Sequence, residues 1–340
     1  MYERISPHRA LRVAVAVLAV LIAAVAGAGA YAVRASAATG FHEVTNFGAN
    51  PGNLRMFAYV PPSLPAGAPV VVLFHGCGGQ AQNLDVNTGW RKYADAFGFA
   101  LVMPEQKPEN VGAGGLIPHK CFSAWNQADR TRAGQGEALS VVRMVQHLAG
   151  AHSADLNRVF VTGYSGGGAA TNVMLAAYPD FFRAGAVFFG MAYGCADTET
   201  AYFTTPPLGQ CSGPLNFTGA RTWGDRVRSA YPGYTGPRPK VQLWHGSDDP
   251  VISPRSLDYQ RDQWTDVFGV SRVPASTTTP VSGVTKRVYG DGRLETYTVS
   301  GMGHQAPVDP GSGITNCGQP GTGHAAICGP YYASVFFGLA

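Results

Sequence analysis

A glycine-rich motif, Gly-Tyr-Ser-Gly-Gly at residues 163–167, lies directly between a short apolar run and a longer helix-type segment. Residues 158–162 have the length and composition of a buried strand, and residues 169–178 are predicted to form a helix that stops at Pro179. A chain that turns this sharply from a strand into a helix needs residues without a β-carbon on both sides of the turn. The motif therefore predicts a strand–turn–helix unit that holds Ser165 at its tip.

Short β-type runs alternate with helix-length segments from about residue 54 onward. Strands are predicted at 54–60, 70–74, 100–103, 158–162, 184–189 and 241–244. Helices are predicted at 90–97, 137–148, 169–178, 254–268 and 331–339, and a hairpin at 287–299. This alternation is typical of an α/β domain with a mostly parallel central sheet and helices on both faces. Residues 195–238 are predicted to be an insertion over the sheet rather than a second domain.

The first 37 residues have the organisation of an export signal. Arg4, Arg9 and Arg12 precede an almost entirely apolar run at 13–30, and small residues occupy positions 35–37. We predict a signal peptide at 1–37, whose cleavage leaves a single catalytic domain at 38–340. The alternative is a retained membrane anchor, because the apolar run approaches the ~18 residues that can cross a bilayer. Both interpretations place the domain outside the cytoplasm.

The rest of the chain carries little net charge. The formal net charge is +4, but most of the excess positive charge belongs to arginines before residue 38. A nearly neutral domain lacks the clustered basic residues of a nucleic-acid interface, so we expect no nucleic-acid partner. Neither a GxxxxGK[ST] phosphate loop nor an HExxH zinc motif occurs in the sequence.

The six cysteines all follow residue 37, and an even number fits complete pairing in an oxidising compartment. Six cysteines can pair in many ways, and the sequence does not fix the pattern. We expect the pairs Cys77–Cys121, Cys195–Cys211 and Cys317–Cys328. No metal site is expected, because no two cysteines have the CxxC spacing of a zinc site.

A serine hydroxyl becomes a good nucleophile only when a neighbouring base removes its proton. In nucleophile sites built on this turn, the acid follows the serine along the chain and the histidine follows the acid. Beyond residue 250 the histidines are His304 and His324. We predict His304 as the base, because it follows the hairpin in a flexible Gly-Met-Gly-His loop. His324 lies between two cysteines and is predicted to be an ordinary surface residue.

The acid is predicted just after the strand at 241–244, where two carboxylates are adjacent. Spacing alone does not separate Asp248 from Asp249. The other carboxylates nearby fall in loops or within a helix and are predicted to be solvated; they are Asp225, Asp258 and Asp262.

Two backbone amides are predicted to stabilise the negative charge that develops when the nucleophile attacks a carbonyl. One is the N–H of Gly166, which directly follows the serine. The other is the N–H of Cys77, in the His-Gly-Cys-Gly-Gly loop at 75–79 that follows the strand at 70–74. A disulfide at Cys77 would hold that amide in place before a substrate arrives.

Several blocks of this sequence occur together in one family. They are His-Gly-Cys at 75–77, Cys121 with Trp125, the run 158–167, Thr-Asn-Val-Met at 171–174, Tyr-Pro-Asp at 178–180, and Gly-Met-Gly-His at 301–304 with Pro307. In these blocks the chain from about residue 41 to 340 resembles secreted esterases of carbohydrate esterase family 1 and the related polyhydroxybutyrate-depolymerase-like esterases. That group includes acetylxylan and feruloyl esterases.

The resemblance implies an α/β-hydrolase fold, ester hydrolysis without a cofactor, and a catalytic triad of Ser165, Asp249 and His304. It selects Asp249 over Asp248, because the family's aspartate is the fourth residue after the histidine of a His-Gly-x-x-Asp motif. Many polyester-depolymerase relatives have His-x-Trp-Pro at the histidine loop, whereas this chain has His-Gln-Ala-Pro at 304–307. Ala306 lacks the bulky side chain that the tryptophan of those relatives provides at the site. The resemblance therefore favours a polysaccharide substrate over a polyester.

The predicted function is a secreted serine esterase that removes acyl groups from plant cell-wall polysaccharide, acetyl groups before feruloyl groups. Trp125, Met191 and Tyr193 are predicted to contact the substrate, with plain packing as the alternative for each. The expected partner is the acylated polymer or another ester, with no membrane contact after signal cleavage, and we expect a monomer. Alternatives are a polyester depolymerase, an acyltransferase acting on cell-envelope sugars, and a binding protein that has lost catalysis.

Overall fold

The structure is a computed structural model of the chain. It describes residues 38–110, 120–204 and 209–340, so the predicted signal peptide at 1–37 lies outside the described residues. The strands are β1 Gly40–Val44, β2 Arg55–Val60, β3 Val70–Phe74, β4 Ala100–Glu105, β5 Val159–Tyr164, β6 Ala184–Phe188, β7 Lys240–Gly246, β8 Ser276–Thr278, β9 Val284–Tyr289, β10 Leu294–Val299, β11 Pro307–Val308 and β12 His324–Ala325. The helices are α1 Ala81–Asn87, α2 Trp90–Phe97, α3 Gln127–Arg130, α4 Glu137–His152, α5 Gly166–Ala177, α6 Glu199–Phe203, α7 Ala220–Ser229, α8 Arg255–Phe268 and α9 Gly329–Phe337.

One sheet of ten described strands organises the domain, in the order β1-β2-β4-β3-β5-β6-β7-β10-β9-β8. The run from β4 to β10 is parallel throughout. The strands outside this run, at both edges of the sheet, pair antiparallel. The predicted α/β class with a mostly parallel sheet is confirmed. The carboxyl ends of the parallel strands all meet at one edge, where ligands of such sheets bind.

Helices cover the sheet on both faces. Side chains of α4, α5 and α8, among them Val145, Val173 and Trp264, pack into one apolar core. Side chains of α2 and α9, among them Trp90 and Phe336, pack into another. Strands enclosed in this way need apolar residues on both sides, which is why β3, β5 and β6 are buried at every position.

Strand β4 continues through Pro104, so the prediction that it ends before this proline is wrong. Pro104 is paired with Met56 of the antiparallel neighbour β2, whereas the pairing of β4 with β3 stops at Val102. The missing N–H of proline therefore interrupts no ladder on the β3 side.

The segment 195–238, predicted to be an insertion, contains α6 and α7, and α7 packs against α8. The three expected disulfides are all confirmed: Cys77–Cys121, Cys195–Cys211 and Cys317–Cys328. Among the helices that the structure describes, none is both long enough and apolar enough to cross a bilayer.

Candidate active site

Ser165 occupies a strained turn between β5 and α5. Its backbone has φ 57° and ψ −120°, a conformation that residues with a side chain rarely adopt. The neighbouring glycines make the turn possible: a β-carbon on Gly163 would lie 2.4 Å from the Gly167 carbonyl oxygen. A β-carbon on Gly167 would lie 2.4 Å from the carbonyl oxygen of His75. The sequence therefore folds locally so that the hydroxyl of Ser165 faces the carboxyl edge of the sheet.

His304 follows β10 and lies between a hydroxyl and a carboxylate. Its Nε2 is 2.8 Å from Ser165 Oγ, and its Nδ1 is 2.8 Å from Asp249 Oδ2. An ionised carboxylate can only accept, so Nδ1 carries the proton and Nε2 is free to accept the serine hydroxyl. The imidazole side chain is 19% exposed. The structure thus brings together three predicted residues that are distant along the chain.

The ring of Phe189 packs edge-on against His304, with ring centroids 4.7 Å apart. Phe189 has φ 37°, and its amide donates to the carbonyl oxygen of Trp244 at 2.7 Å. A positive φ at an aromatic residue is unfavourable, so this backbone is held by its surroundings. The strained backbone places the ring against the imidazole. The sequence analysis missed Phe189, because no sequence signal distinguishes it from the buried strand that it follows.

Asp249 is buried directly behind the imidazole. Its Oδ1 accepts hydrogen bonds from the amides of Val251 and Ile252, both at 2.9 Å. Its Oδ2 lies 3.3 Å from His245 Nε2 as well as against His304. Burial opposes ionisation, but the interactions with His245 and His304 outweigh it and hold the pKa of Asp249 well below its usual range. Asp249 is therefore an anion whose charge faces His304.

The neighbouring carboxylate has a different environment. Asp248 is exposed, and its Oδ1 accepts a hydrogen bond from Ser247 Oγ at 2.6 Å. The other carboxylates considered in the sequence analysis each form an ion pair with an arginine; they are Asp225, Asp258 and Asp262. His324 lies in the short strand β12, paired with Pro307. The geometry around the serine therefore includes Asp249 and His304 and leaves these residues out.

Two backbone amides lie close to the serine, those of Cys77 and Gly166. A β-carbon built on Gly166 would lie 3.5 Å from the amide nitrogen of Cys77, and one built on Gly76 would lie 3.9 Å from Ser165 Oγ. In the described residues, neither the Cys77 amide nor the Gly166 amide donates a hydrogen bond to another protein group. The Gly166 amide is also the first N–H of α5, where the helix dipole favours negative charge. The two amides are available to bind an anionic oxygen.

Comparison with known proteins assigns the chain to a family. Residues 54–279 match the family described as Esterase PHB depolymerase. The chain belongs to this family. It is 40% identical over 314 residues to the poly(3-hydroxyalkanoate) depolymerase C of Paucimonas lemoignei, a match that covers 91% of this chain and 72% of that protein. It is 39% identical over 275 residues to feruloyl esterase B of Thermothelomyces thermophilus, covering 80% of this chain and 90% of the relative.

A solved structure shares the fold of this esterase. The acetyl xylan esterase from Aspergillus awamori superposes with a TM-score of 0.70 at 28% sequence identity. The match covers 88% of this chain and 99% of that protein. The predicted α/β-hydrolase fold and family resemblance are confirmed. The chain is a carboxylic ester hydrolase.

The predicted substrate contacts of the esterase have different surroundings. Trp125 is partly buried against Tyr202, with ring centroids 4.8 Å apart. Met191 is buried, and the hydroxyl of Tyr193, also buried, donates to the Arg130 carbonyl oxygen at 3.1 Å. Met191 and Tyr193 are each 4% exposed. The roles of Trp125, Met191 and Tyr193 stay predictions.

Within residues 38–110, 120–204 and 209–340, no three His, Cys, Asp or Glu side chains are grouped in a way that could bind a metal ion.

Proposed function

We propose that this esterase uses Ser165 as its nucleophile, His304 as general base and then general acid, and Asp249 to orient and charge-stabilise the imidazole. The observation that carries the proposal is the continuous line of contacts from Asp249 Oδ2 through the imidazole to Ser165 Oγ, each 2.8 Å long. Nucleophile and base are therefore already within proton-transfer distance. The lowered pKa of Asp249 supports its role, because an anion beside Nδ1 stabilises the imidazolium that forms.

The chemistry follows from these positions. Ser165 Oγ attacks the ester carbonyl carbon while His304 Nε2 takes the hydroxyl proton, and the new oxyanion binds the amides of Cys77 and Gly166. Collapse of the tetrahedral intermediate breaks the ester C–O bond, and His304 gives its proton to the departing alcohol. A water molecule, deprotonated by the same nitrogen, then releases the acid and restores Ser165.

We propose acyl groups on a plant cell-wall polysaccharide as the substrate, with acetyl groups preferred over feruloyl groups. Relatives named feruloyl esterase and acetylxylan esterase, at 39% and 38% identity, support this class. Ala306 stands where many polyester-depolymerase relatives have a tryptophan, and we expect this small side chain to favour the polysaccharide. We also propose that the enzyme is secreted after cleavage at residue 37, since disulfides such as Cys77–Cys121 are typical of oxidising compartments.

A second substrate class is supported by the depolymerase relative of Paucimonas lemoignei at 40% identity. A polyester chain presents repeated ester carbonyls, which the same nucleophile could attack. The two candidates share the chemistry at Ser165 and differ only in the polymer.

A release assay separates the candidates. Acetylated xylan, methyl ferulate and a polyhydroxybutyrate film are each incubated with the wild type and with Ser165→Ala, and acetate, ferulate and hydroxybutyrate are measured. We expect acetate release to be fastest and to disappear in the variant. Faster release of hydroxybutyrate would assign the polyester instead. Equal release by wild type and Ser165→Ala would refute the proposed nucleophile.

A further inference from the structure

The peptide between Gly76 and Cys77 carries one of the proposed oxyanion donors. A peptide unit is planar and trans, so its carbonyl and its N–H point in opposite directions. The Gly76 carbonyl oxygen is fixed by two donors, the Gly79 amide at 2.9 Å and His75 Nδ1 at 2.7 Å. Holding that carbonyl fixes the direction of the Cys77 N–H on the other side of the same plane.

His75 is buried, and its second nitrogen determines its tautomer. The backbone N–H of Gln106 donates to His75 Nε2 at 3.1 Å. An N–H can only donate, so Nε2 is unprotonated and Nδ1 carries the proton given to Gly76. Burial lowers the pKa of His75 and keeps the ring neutral, the state that this pattern requires. A protonated ring would carry a second N–H at Nε2. This group would face the N–H of Gln106, and neither could accept a hydrogen bond from the other.

The side chain of Gln106 continues the network into the interior. Its Nε2 donates to the Cys121 carbonyl oxygen at 3.1 Å and to Glu137 Oε1. The other carboxylate oxygen of Glu137 accepts from the Ser123 amide at 2.8 Å. Glu137 is the first residue of α4 and is buried. One carboxylate therefore joins the chain after β4 to the segment that carries Cys121, the disulfide partner of Cys77.

The end of β4 also holds the far end of the same loop. Glu105 Oε2 accepts a hydrogen bond from the Ala81 amide at 2.9 Å, at the start of α1. The loop 75–81 is thus held at both ends by two successive residues. The Gln106 amide binds His75 at its start, and the Glu105 side chain binds Ala81 at its end. In the part of the chain that the structure describes, the side chains of His75, Gln106 and Glu137 form no hydrogen bond with the three proposed triad residues.

We propose that Glu137 and Gln106, acting through His75, are positioning residues that aim the Cys77 amide at the oxyanion. The inference rests on the proposed mechanism at Ser165 and extends it to residues far from the reacting atoms. A donor that is misaimed in the transition state raises the barrier without changing how the ground-state ester binds. The expected signature is a fall in kcat at unchanged KM.

Glu137→Gln tests this directly, because Gln106 Nε2 and the Ser123 amide donate to different carboxylate oxygens, and glutamine replaces one of these oxygens with an NH2 group that donates. Burial and the nearby Asp129 carboxylate raise the pKa of Glu137, so 4-nitrophenyl acetate hydrolysis is measured over a range of pH from neutral to alkaline. We expect kcat to fall about 10- to 100-fold, the range for a displaced catalytic group. KM should stay within about threefold. Inhibition by phenylboronic acid, whose serine adduct places an oxygen at the oxyanion site, should weaken in parallel.

Ser140→Ala is the matched control, since Ser140 lies one turn along the same helix and accepts from the Gly52 amide at 2.8 Å. It removes a part-buried hydrogen bond that involves none of His75, Gln106 and Glu137, so it should lower the thermal midpoint and leave kcat nearly unchanged. Equal kcat losses in Ser140→Ala and Glu137→Gln would overturn the proposal, as would a Glu137→Gln enzyme with full kcat.

Two variants at His75 provide a second test of the proposal, which can be used if Glu137→Gln does not fold. The side-chain amide introduced by His75→Asn can still donate to the Gly76 carbonyl, whereas His75→Leu removes the donor. We expect kcat of His75→Asn to exceed that of His75→Leu by about tenfold or more, in line with the loss of a positioned donor. Equal values would overturn the proposal. A wild type without any esterase activity would instead refute the mechanism itself, so the two failures are distinguishable.

Discussion

Asp248 and Asp249 are adjacent in the sequence and chemically different in the fold. Asp249 is buried, accepts two backbone amides and faces the imidazole, whereas Asp248 is exposed and binds Ser247. Their spacing from the preceding strand left the choice open. The resemblance to a family selected Asp249, and the geometry is consistent with that choice. Local sequence could not distinguish the two carboxylates, because their environments differ through contacts made in the fold. Asp249 contacts His245 and the amides of the loop that follows it.

Asp249→Asn should lower kcat by about three to four orders of magnitude, because an amide cannot hold the imidazole in the required tautomer or stabilise its charged form. Asp248→Asn is the matched control and should keep wild-type kinetics. Both variants are assayed on 4-nitrophenyl acetate. Comparable losses in the two variants would mean that the carboxylate behind the imidazole has been misassigned.

The lowered pKa of Asp249 also has a consequence for stability. Burial opposes its ionisation and the histidine contacts outweigh this, so the folded protein binds the proton less tightly than the unfolded chain. The resulting stabilisation is complete above the unfolded pKa, about 4, and is lost as the pH falls below it. We expect the unfolding free energy of wild type, measured relative to Asp249→Asn, to decrease between about pH 5 and pH 2. A difference that grows on acidification in urea titrations would contradict the assignment of this carboxylate as ionised.

The strand–turn–helix unit of β5 and α5 is the element that the sequence predicted best. Its glycines are explained by contacts that the sequence could not show: the space beside Gly163 is filled by Gly167 and Phe74, and that beside Gly167 by His75. The buried strands β3, β5 and β6 were also predictable, because burial on both faces demands continuous apolar runs. The edge strand β8 is exposed and β11 has two residues, and neither has a pattern strong enough to be predicted.

Gly163→Ala should destabilise the protein by at least about 2 kcal/mol, because the new methyl group meets backbone atoms that cannot move aside. Gly150→Ala provides the contrast: the residue is exposed within α4, and its β-carbon would have open space. Removing this helical glycine should stabilise by about 0.5–1 kcal/mol. Chemical denaturation measures both. A Gly163→Ala protein as stable as wild type would show that the turn is not sterically closed.

The disulfides illustrate how elements depend on one another. Cys77–Cys121 joins the loop 75–79 to the segment before α3, whereas Cys195–Cys211 closes a loop in the insertion. Replacing the first pair by serines should reduce kcat by about tenfold or more, since it releases a proposed oxyanion donor. Replacing the second pair should lower the thermal midpoint and leave kcat on a small ester nearly unchanged. Identical kinetic effects of the two double variants would argue against a special role for the first bridge.

At the scale of the whole molecule, the parallel sheet is what assembles the site. Ser165, Asp249 and His304 follow β5, β7 and β10, and the Cys77 loop follows β3. Because the carboxyl ends of parallel strands lie on one edge, residues 139 positions apart come within 2.8 Å. Chain order and strand pattern made this convergence predictable. The supporting residues Glu137, Gln106 and Phe189 were not, since nothing in the local sequence marks a buried contact between remote segments.

The central claim is that Ser165 is activated by His304, and covalent labelling tests it most directly. Intact protein is incubated with a fluorophosphonate, which reacts with activated serines, and the modified residue is located by peptide mass spectrometry. We predict a single adduct on Ser165, none in Ser165→Ala, and a labelling rate in His304→Ala reduced by at least about a thousandfold. An adduct on another serine, or labelling of Ser165 at an unchanged rate without the imidazole, would contradict the account.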